Sequence, residues 1–244
     1  MYSRFYHLHI PKTGGTFFEK NIKSQMLSAF DANQIITDVE DQNRSQHLCW
    51  YKPYIQDSTY IFSIMREPIS RLISQYAWQA KLAVDQGITN HTYDDITKNN
   101  FFQWVDKHYD IYKNYQLKNL TYYNPDSDYK RGTHLGWDDV PRISSDVFDH
   151  FGLFNPNIKD VIINLDRINY IVKSKDLLDV KKQSIIIDKL HSDLGINGNI
   201  VVGNLYANQN EISSMIKNSL NSHEKSLLSE YLNDEIIVYH SLVI

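Results

Sequence analysis

The sequence predicts an α/β protein, a single domain over residues 1–244 with a central, mainly parallel sheet flanked by helices. Three observations carry that expectation. Short apolar runs that suit strands alternate with longer segments of helical periodicity, the order that builds a parallel sheet. The run Tyr60-Ile61-Phe62-Ser63-Ile64-Met65 is apolar at nearly every position, as in a strand covered on both faces. No internal repeat, low-complexity tract or Pro/Gly/Ser linker marks a boundary between domains.

Phe5 to Ile10 reads as a short aromatic strand ended by Pro11. A helix follows from Thr16, with Phe17, Ile22, Met26 and Leu27 lining its buried side. Gln34 to Val39 suits a second strand, and Tyr60 to Met65 the best-defined one. Pro68 fits the first turn of the next helix, where its missing N–H costs nothing. Ile69, Leu72, Ile73, Tyr76, Ala77, Ala80 and Val84 then recur at helical steps, and Gly87 stops the pattern. Tyr93 to Leu120 is expected to be helical in two pieces around Tyr109-Asp110. Thr121 to Arg142 is irregular, aromatic and broken by Pro125, Gly132, Gly136 and Pro141, and such long unpatterned stretches are often functional. Asn169 to Val172 suits another buried strand and Lys175 to Leu190 another amphipathic helix. Asn221, with Glu224 three residues on, caps a last helix carrying Leu227, Leu228 and Tyr231.

At 244 residues the chain can bury a sizeable core without a disulfide or metal staple. Its 42% hydrophobic and 22% charged residues exclude wholesale disorder. The lone Cys49 excludes an intramolecular disulfide framework and a cysteine-rich zinc site. A net charge of −4 argues against generic nucleic-acid binding, so any anion site must be local. With a mean hydropathy of −0.46, no apolar run approaches the roughly 20 residues that cross a bilayer. Met1 to Ile10 reads straight into a strand, with no room for a signal peptide or anchor. The expected setting is the reducing cytoplasm, and the sequons at Asn43, Asn90 and Asn119 are then chance matches.

Between the first strand and the first helix lies Pro11-Lys12-Thr13-Gly14-Gly15-Thr16. Paired glycines let the backbone approach a ligand closely and expose consecutive N–H groups. The helix start adds its own donors and the positive end of its dipole. Lys12 supplies a cation, and Thr13 and Thr16 supply hydroxyls, so the natural guest is a phosphate or a sulfate ester. An NTPase P-loop would place the lysine after the glycines and follow it with Ser or Thr, whereas Lys12 precedes them.

The strand ending at Met65 runs into Arg66-Glu67-Pro68 and a helix bearing Ser70 and Ser74. Ligands of open α/β sheets collect at the carboxyl ends of strands. A magnesium-nucleotide enzyme would want an aspartate there to hold the metal. An arginine instead suits bidentate binding of a second anion, although Arg66 can equally pair with Glu67.

Pro-Lys-Thr-Gly-Gly-Thr after the first strand, followed by Arg-Glu-Pro-x-x-Arg-x-x-Ser after a later one, resembles sulfotransferases that use 3′-phosphoadenosine 5′-phosphosulfate (PAPS). The resemblance is nearest to the carbohydrate group containing heparan 2-O-sulfotransferases and their bacterial relatives, and it covers residues 5–80 best. It implies a P-loop-like nucleotide-binding architecture. It also implies that Lys12, Thr13, Gly14, Gly15 and Thr16 hold the 5′-phosphosulfate, and that Arg66 and Ser74 hold the 3′-phosphate. Asn114-Tyr115-Gln116-Leu117 and Ile168 to Leu190 resemble later family segments. Asn208 falls where the family has a loop closing over the nucleotide, although 207–211 lacks the cations usual there.

Sulfuryl transfer needs in-line placement, a base for the acceptor proton and charge stabilisation on the leaving phosphate. Lys12 is placed for the last role. The resemblance implies a histidine between the two motifs as base, and His47 occupies that place; a histidine titrates in the range an alcohol's base requires. Glu19, one turn into the first helix, is the alternative, with His7 and His9 structural. Tyr122, Tyr123, Tyr129, Lys130, Arg131, His134 and Trp137 offer aromatic faces and donors for a hydroxyl-bearing acceptor such as a glycan. No metal and no membrane or nucleic-acid partner is expected. Two other readings stay open: a magnesium-nucleotide kinase, and a catalytically inactive nucleotide-binding module.

Overall fold

The strands follow the chain as β1 (Arg4–Leu8), β2 (Ile35–Ile36), β3 (Asp38–Asp41), β4 (Arg44–His47), β5 (Thr59–Met65) and β6 (Tyr170–Lys173). They are seen in a computed structural model that describes residues 2–10, 12–36, 38–41, 44–47, 57–87, 92, 94, 96–121, 158–197 and 211–242. Four strands form one sheet in the order β2-β1-β5-β6, and every neighbouring pair is parallel. β3 and β4 form a separate antiparallel pair, with Asp38 opposite His47.

Alternation along the strands divides the core between two faces. Phe5, Tyr60, Phe62, Ile64 and Val172 face the first helix, α1 (15–26). There they pack on Phe17, Phe18, Ile22 and Met26. On the other face Tyr6, Leu8, Ile61 and Met65 meet α2 (Pro68–Asp85) through Leu72, Ile73, Tyr76 and Ala80. Beyond α2 stand α3 (Lys98–Lys107), α4 (Tyr109–Tyr112) and α5 (Tyr115–Thr121). After α6 (Ile158–Leu165) and β6, α7 (Val180–Leu194) joins α1's side through Ile186 and Leu190. The chain closes with α8 (Glu211–Ser219), α9 (Ser222–Tyr231) and α10 (Asn233–Ser241) on the α2 side. All seven residues of β5 are buried, as a strand covered on both faces must be. Among the described residues no helix is long and apolar enough to cross a membrane.

Several local expectations need correction. The stretch Gln34 to Val39 is not one strand: Gln34 ends a 3₁₀ turn, β2 is only Ile35–Ile36, and the chain then leaves the sheet for β3. Leu27 is 51% exposed, because α1 widens into a π-helical turn over Phe18–Ile22 and ends at Met26, which rotates the following residue off the buried side. The expected two helical pieces before residue 121 are three, broken at His108 and again at Lys113-Asn114, where Asn114 takes φ 53°. The helix expected from Lys175 begins at Val180, because Asp179 caps it by accepting from the N–H groups of Lys181 and Lys182. Asn221 and Glu224 form the expected capping box, yet Leu227 is 48% exposed while Leu228 is buried.

Because the strands are parallel, their carboxyl ends share one edge, with Leu8 beside Ser63 in register. From β1 the chain moves outward to β2, and from β5 it moves the opposite way to β6. The crevice between the β1 and β5 ends is therefore the topological switch point, where open α/β sheets bind ligands. Lys12 and Arg66 both emerge there.

Candidate functional site

The loop after β1 is tightly shaped. Gly14 stands at φ 142° and ψ 21°, a backbone that side chains resist, and a Cβ there would lie 3.4 Å from both Ile64 Cγ2 and Leu177 Cδ1. Lys12 itself takes φ 67°. Gly14 is the N-cap of α1 and has no side chain to offer to the first-turn N–H groups. Thr16 is exposed at that helix start. Thr13 is buried, and its Oγ1 donates to Ile10 O at 2.7 Å, so that hydroxyl's hydrogen ties the loop to the strand end instead of facing a ligand.

Gly15 has a second reason to be glycine. A Cβ on it would stand 2.3 Å from His9 Nε2, because the His9 ring lies against this turn and stacks on His7 at 5.0 Å. His9, expected to be structural, forms a wall of the loop. Gly15→Ala is expected to fold but to drive the His9 ring aside, since that ring can rotate. NMR of the His9 imidazole checks this: unchanged His9 resonances in the variant would contradict it.

Arg66 reaches across the switch point. Its Nη1 donates to Lys12 O at 3.2 Å, which joins the tip of β5 to the glycine turn. Glu67 does not take the arginine: its two carboxylate oxygens accept from Ile69 N at 3.0 Å and Ser70 N at 2.8 Å, capping α2. Burial first, and then the Arg66 guanidinium, bring the Lys12 pKa down to about 8. Burial and then neighbouring Arg71 lower that of Arg66 in turn. Glu67 opposes the lowering at Arg66, but the Arg66 charge still acts against the Lys12 ammonium, and an anion at Lys12 would relieve it.

One row of α2 borders these groups. Ser70, Ser74 and Trp78 are half-buried and one helical turn apart, so they share a side of the helix. Lys12 Nζ lies 4.7 Å from the centre of the Trp78 ring at one end of the row. At the other end Lys217 Nζ, from α8, donates to Ser70 Oγ at 3.1 Å. Ser74 lies between them. Lys217 was not singled out from the sequence, where it is an exposed residue of an amphipathic helix far from either motif.

The base candidates stand differently. His47 is the last residue of β4, outside the main sheet, and its side chain lies outside the described residues. Glu19 is exposed in the π-helical turn of α1 and accepts from Lys23 Nζ at 2.7 Å. Asn208, Cys49 and residues 122–142 also lie outside the described residues. Asn119 is buried and donates from Nδ2 to Tyr115 O at 2.6 Å, so its sequon is closed to modification. Among the described residues no group of three or more His, Cys, Asp and Glu is arranged to hold a metal.

Comparison with family models, with curated proteins and with solved structures returned no match to this chain.

Proposed function

We propose that the chain is a PAPS-dependent O-sulfotransferase with a P-loop-like nucleotide site, acting on a hydroxyl-bearing acceptor of the carbohydrate class. One observation carries the reading: Lys12 and Arg66, from separate motifs, meet at the switch point through the Arg66 Nη1–Lys12 O bond, where the Arg66 charge acts against the Lys12 ammonium. A ligand phosphorylated at both ends answers that arrangement. The turn Gly14-Gly15-Thr16 with Lys12 takes the 5′-phosphosulfate, and Arg66 with Ser74 takes the 3′-phosphate. An arginine at the strand tip leaves the magnesium-binding position of a kinase unfilled.

In the transfer step His47 accepts the acceptor hydroxyl's proton while the acceptor oxygen forms its bond to sulfur. The bond from sulfur to the 5′-phosphate oxygen breaks, and Lys12 stabilises the charge left on that phosphate. Titration calorimetry with 3′,5′-ADP, followed by a labelled-sulfate transfer assay over glycan acceptors, tests the assignment. Binding and EDTA-insensitive transfer are expected; a phosphoryl transfer that stops in EDTA would replace the reading with a kinase.

Lys12 gives the binding a pH signature. An anion favours the ammonium form, whereas the free protein loses that proton near pH 8. Below that value the affinity for 3′,5′-ADP is expected to be flat. Above it, binding must take up a proton, and the affinity falls by up to about tenfold per pH unit. Lys12→Arg keeps its charge throughout and should flatten the profile. An unchanged slope in that variant would assign the titration to another group.

A further inference from the structure

Arg66 is held from behind by a device that neither motif contains. The fully buried Gln116, on α5, pairs with the Arg66 backbone as a neighbouring strand would. Its Oε1 accepts from Arg66 N at 2.9 Å and its Nε2 donates to Arg66 O at 2.9 Å. That amide has one orientation available, because Nε2 also donates to Glu235 Oε2 at 3.1 Å. The Gln116 N–H donates to Glu235 Oε1 at 2.6 Å. Glu235, on α10, is fully buried, so both carboxylate oxygens are spent on a single residue. Burying a carboxylate is costly, and a chain that needed only packing would place an apolar residue there. Burial raises the Glu235 pKa, while the positive charge of Arg71 acts in the opposite direction.

Arg71 is the companion of this device. It is fully buried, its guanidinium lies 4.3 Å from the Tyr115 ring, and none of its three guanidinium nitrogens has a hydrogen-bond partner among the described residues. Its charge favours the ionised, doubly accepting form of Glu235, against the effect of burial. Lys118 acts on Glu235 in the same direction from α5, and Tyr231 faces it from α9.

We propose that Gln116 and Glu235 are positioning residues for Arg66, which lock the backbone at the tip of β5 so that the guanidinium is preset for the 3′-phosphate. The phosphate role rests on the function proposed above; the locking of the backbone does not. Preset donors bind more tightly because the ordering is complete before the ligand arrives.

Glu235→Gln keeps the volume and opposes an amide N–H₂ to the Gln116 donors. Gln116→Met, which removes the amide at similar length, is the second variant should the first fail to fold. Hydrogen exchange by NMR reads the lock without any ligand. The Arg66 amide is expected to exchange about tenfold faster in Glu235→Gln, the worth of one hydrogen bond, with the Ile64 amide unchanged. Calorimetry reads the consequence: affinity for 3′,5′-ADP should fall about tenfold while affinity for 5′-AMP, which lacks the 3′-phosphate, is retained. In an Arg66→Ala background the same substitution should have no further effect on binding. Unchanged exchange at Arg66, or equal losses for the two nucleotides, would overturn the proposal. Absence of 3′,5′-ADP binding in the unaltered protein would instead reject the proposed function, and the exchange measurement would still decide whether the lock exists.

Discussion

Lys12→Ala is expected to abolish most turnover while the fold survives. The ammonium has two tasks in the proposed step, neutralising the bound 5′-phosphosulfate and stabilising the charge that develops on the leaving phosphate. The second acts only in the transition state, so kcat should fall further than affinity. Loss of one such preorganised donor costs about 10²–10³-fold in rate. The fold should be indifferent, because burial and Arg66 already push the Lys12 pKa down to about 8, and removing the charge relieves both. Among the described residues, the side-chain interaction it forfeits is the Lys12 Nζ contact with the Trp78 ring, worth about 0.5–1 kcal/mol at a partly exposed site. Thermal denaturation and steady-state kinetics on the variant check the two halves separately. Near-normal kcat would remove Lys12 from the transition state.

His47→Ala should lower turnover by about 10²–10⁴-fold, the usual worth of a general base, with affinity for 3′,5′-ADP unchanged. The split follows from role: His47 serves the acceptor proton, whereas the nucleotide is gripped by the glycine turn and Arg66. The loss should shrink at high pH, where the acceptor's own ionisation and hydroxide replace the base. Glu19 is the alternative, but it is exposed and engaged by Lys23 on the surface of α1. A variant retaining full activity would pass the role from His47 to another residue, with Glu19→Gln as the next substitution to assay.

The central architecture was legible because its signals are local. β1, β5 and α2 each declare themselves within a few residues, through an apolar run, a proline at a helix start or a three-to-four-residue period. The two strand-end motifs were legible for the same reason, and their convergence followed from topology once β1 and β5 were neighbours. The device behind them was not. Arg71 and Gln116 fall within segments the sequence marked, but their burial did not show there; with Gln75, Gln79 and Glu235 they are polar residues buried by tertiary packing, and a polar letter on a helix reads as a solvated face. Lys217 meets Ser70 across 147 residues, a distance over which no periodicity speaks. α10 escaped notice because Ile236, Ile237 and Val238 run consecutively instead of at helical spacing, and tertiary contacts decide its state. The division of 34–39 into a turn and two short strands belongs to the same class, since β-branched residues there fit either sheet.

A crystal structure of the protein with 3′,5′-ADP is the most direct test of the account. It should show the 5′-phosphate on the Gly14-Gly15-Thr16 turn beside Lys12, and the 3′-phosphate on Arg66 and Ser74, in one continuous crevice between the ends of β1 and β5. A nucleotide seated elsewhere, or one that touches only Lys12 or only Arg66, would contradict it.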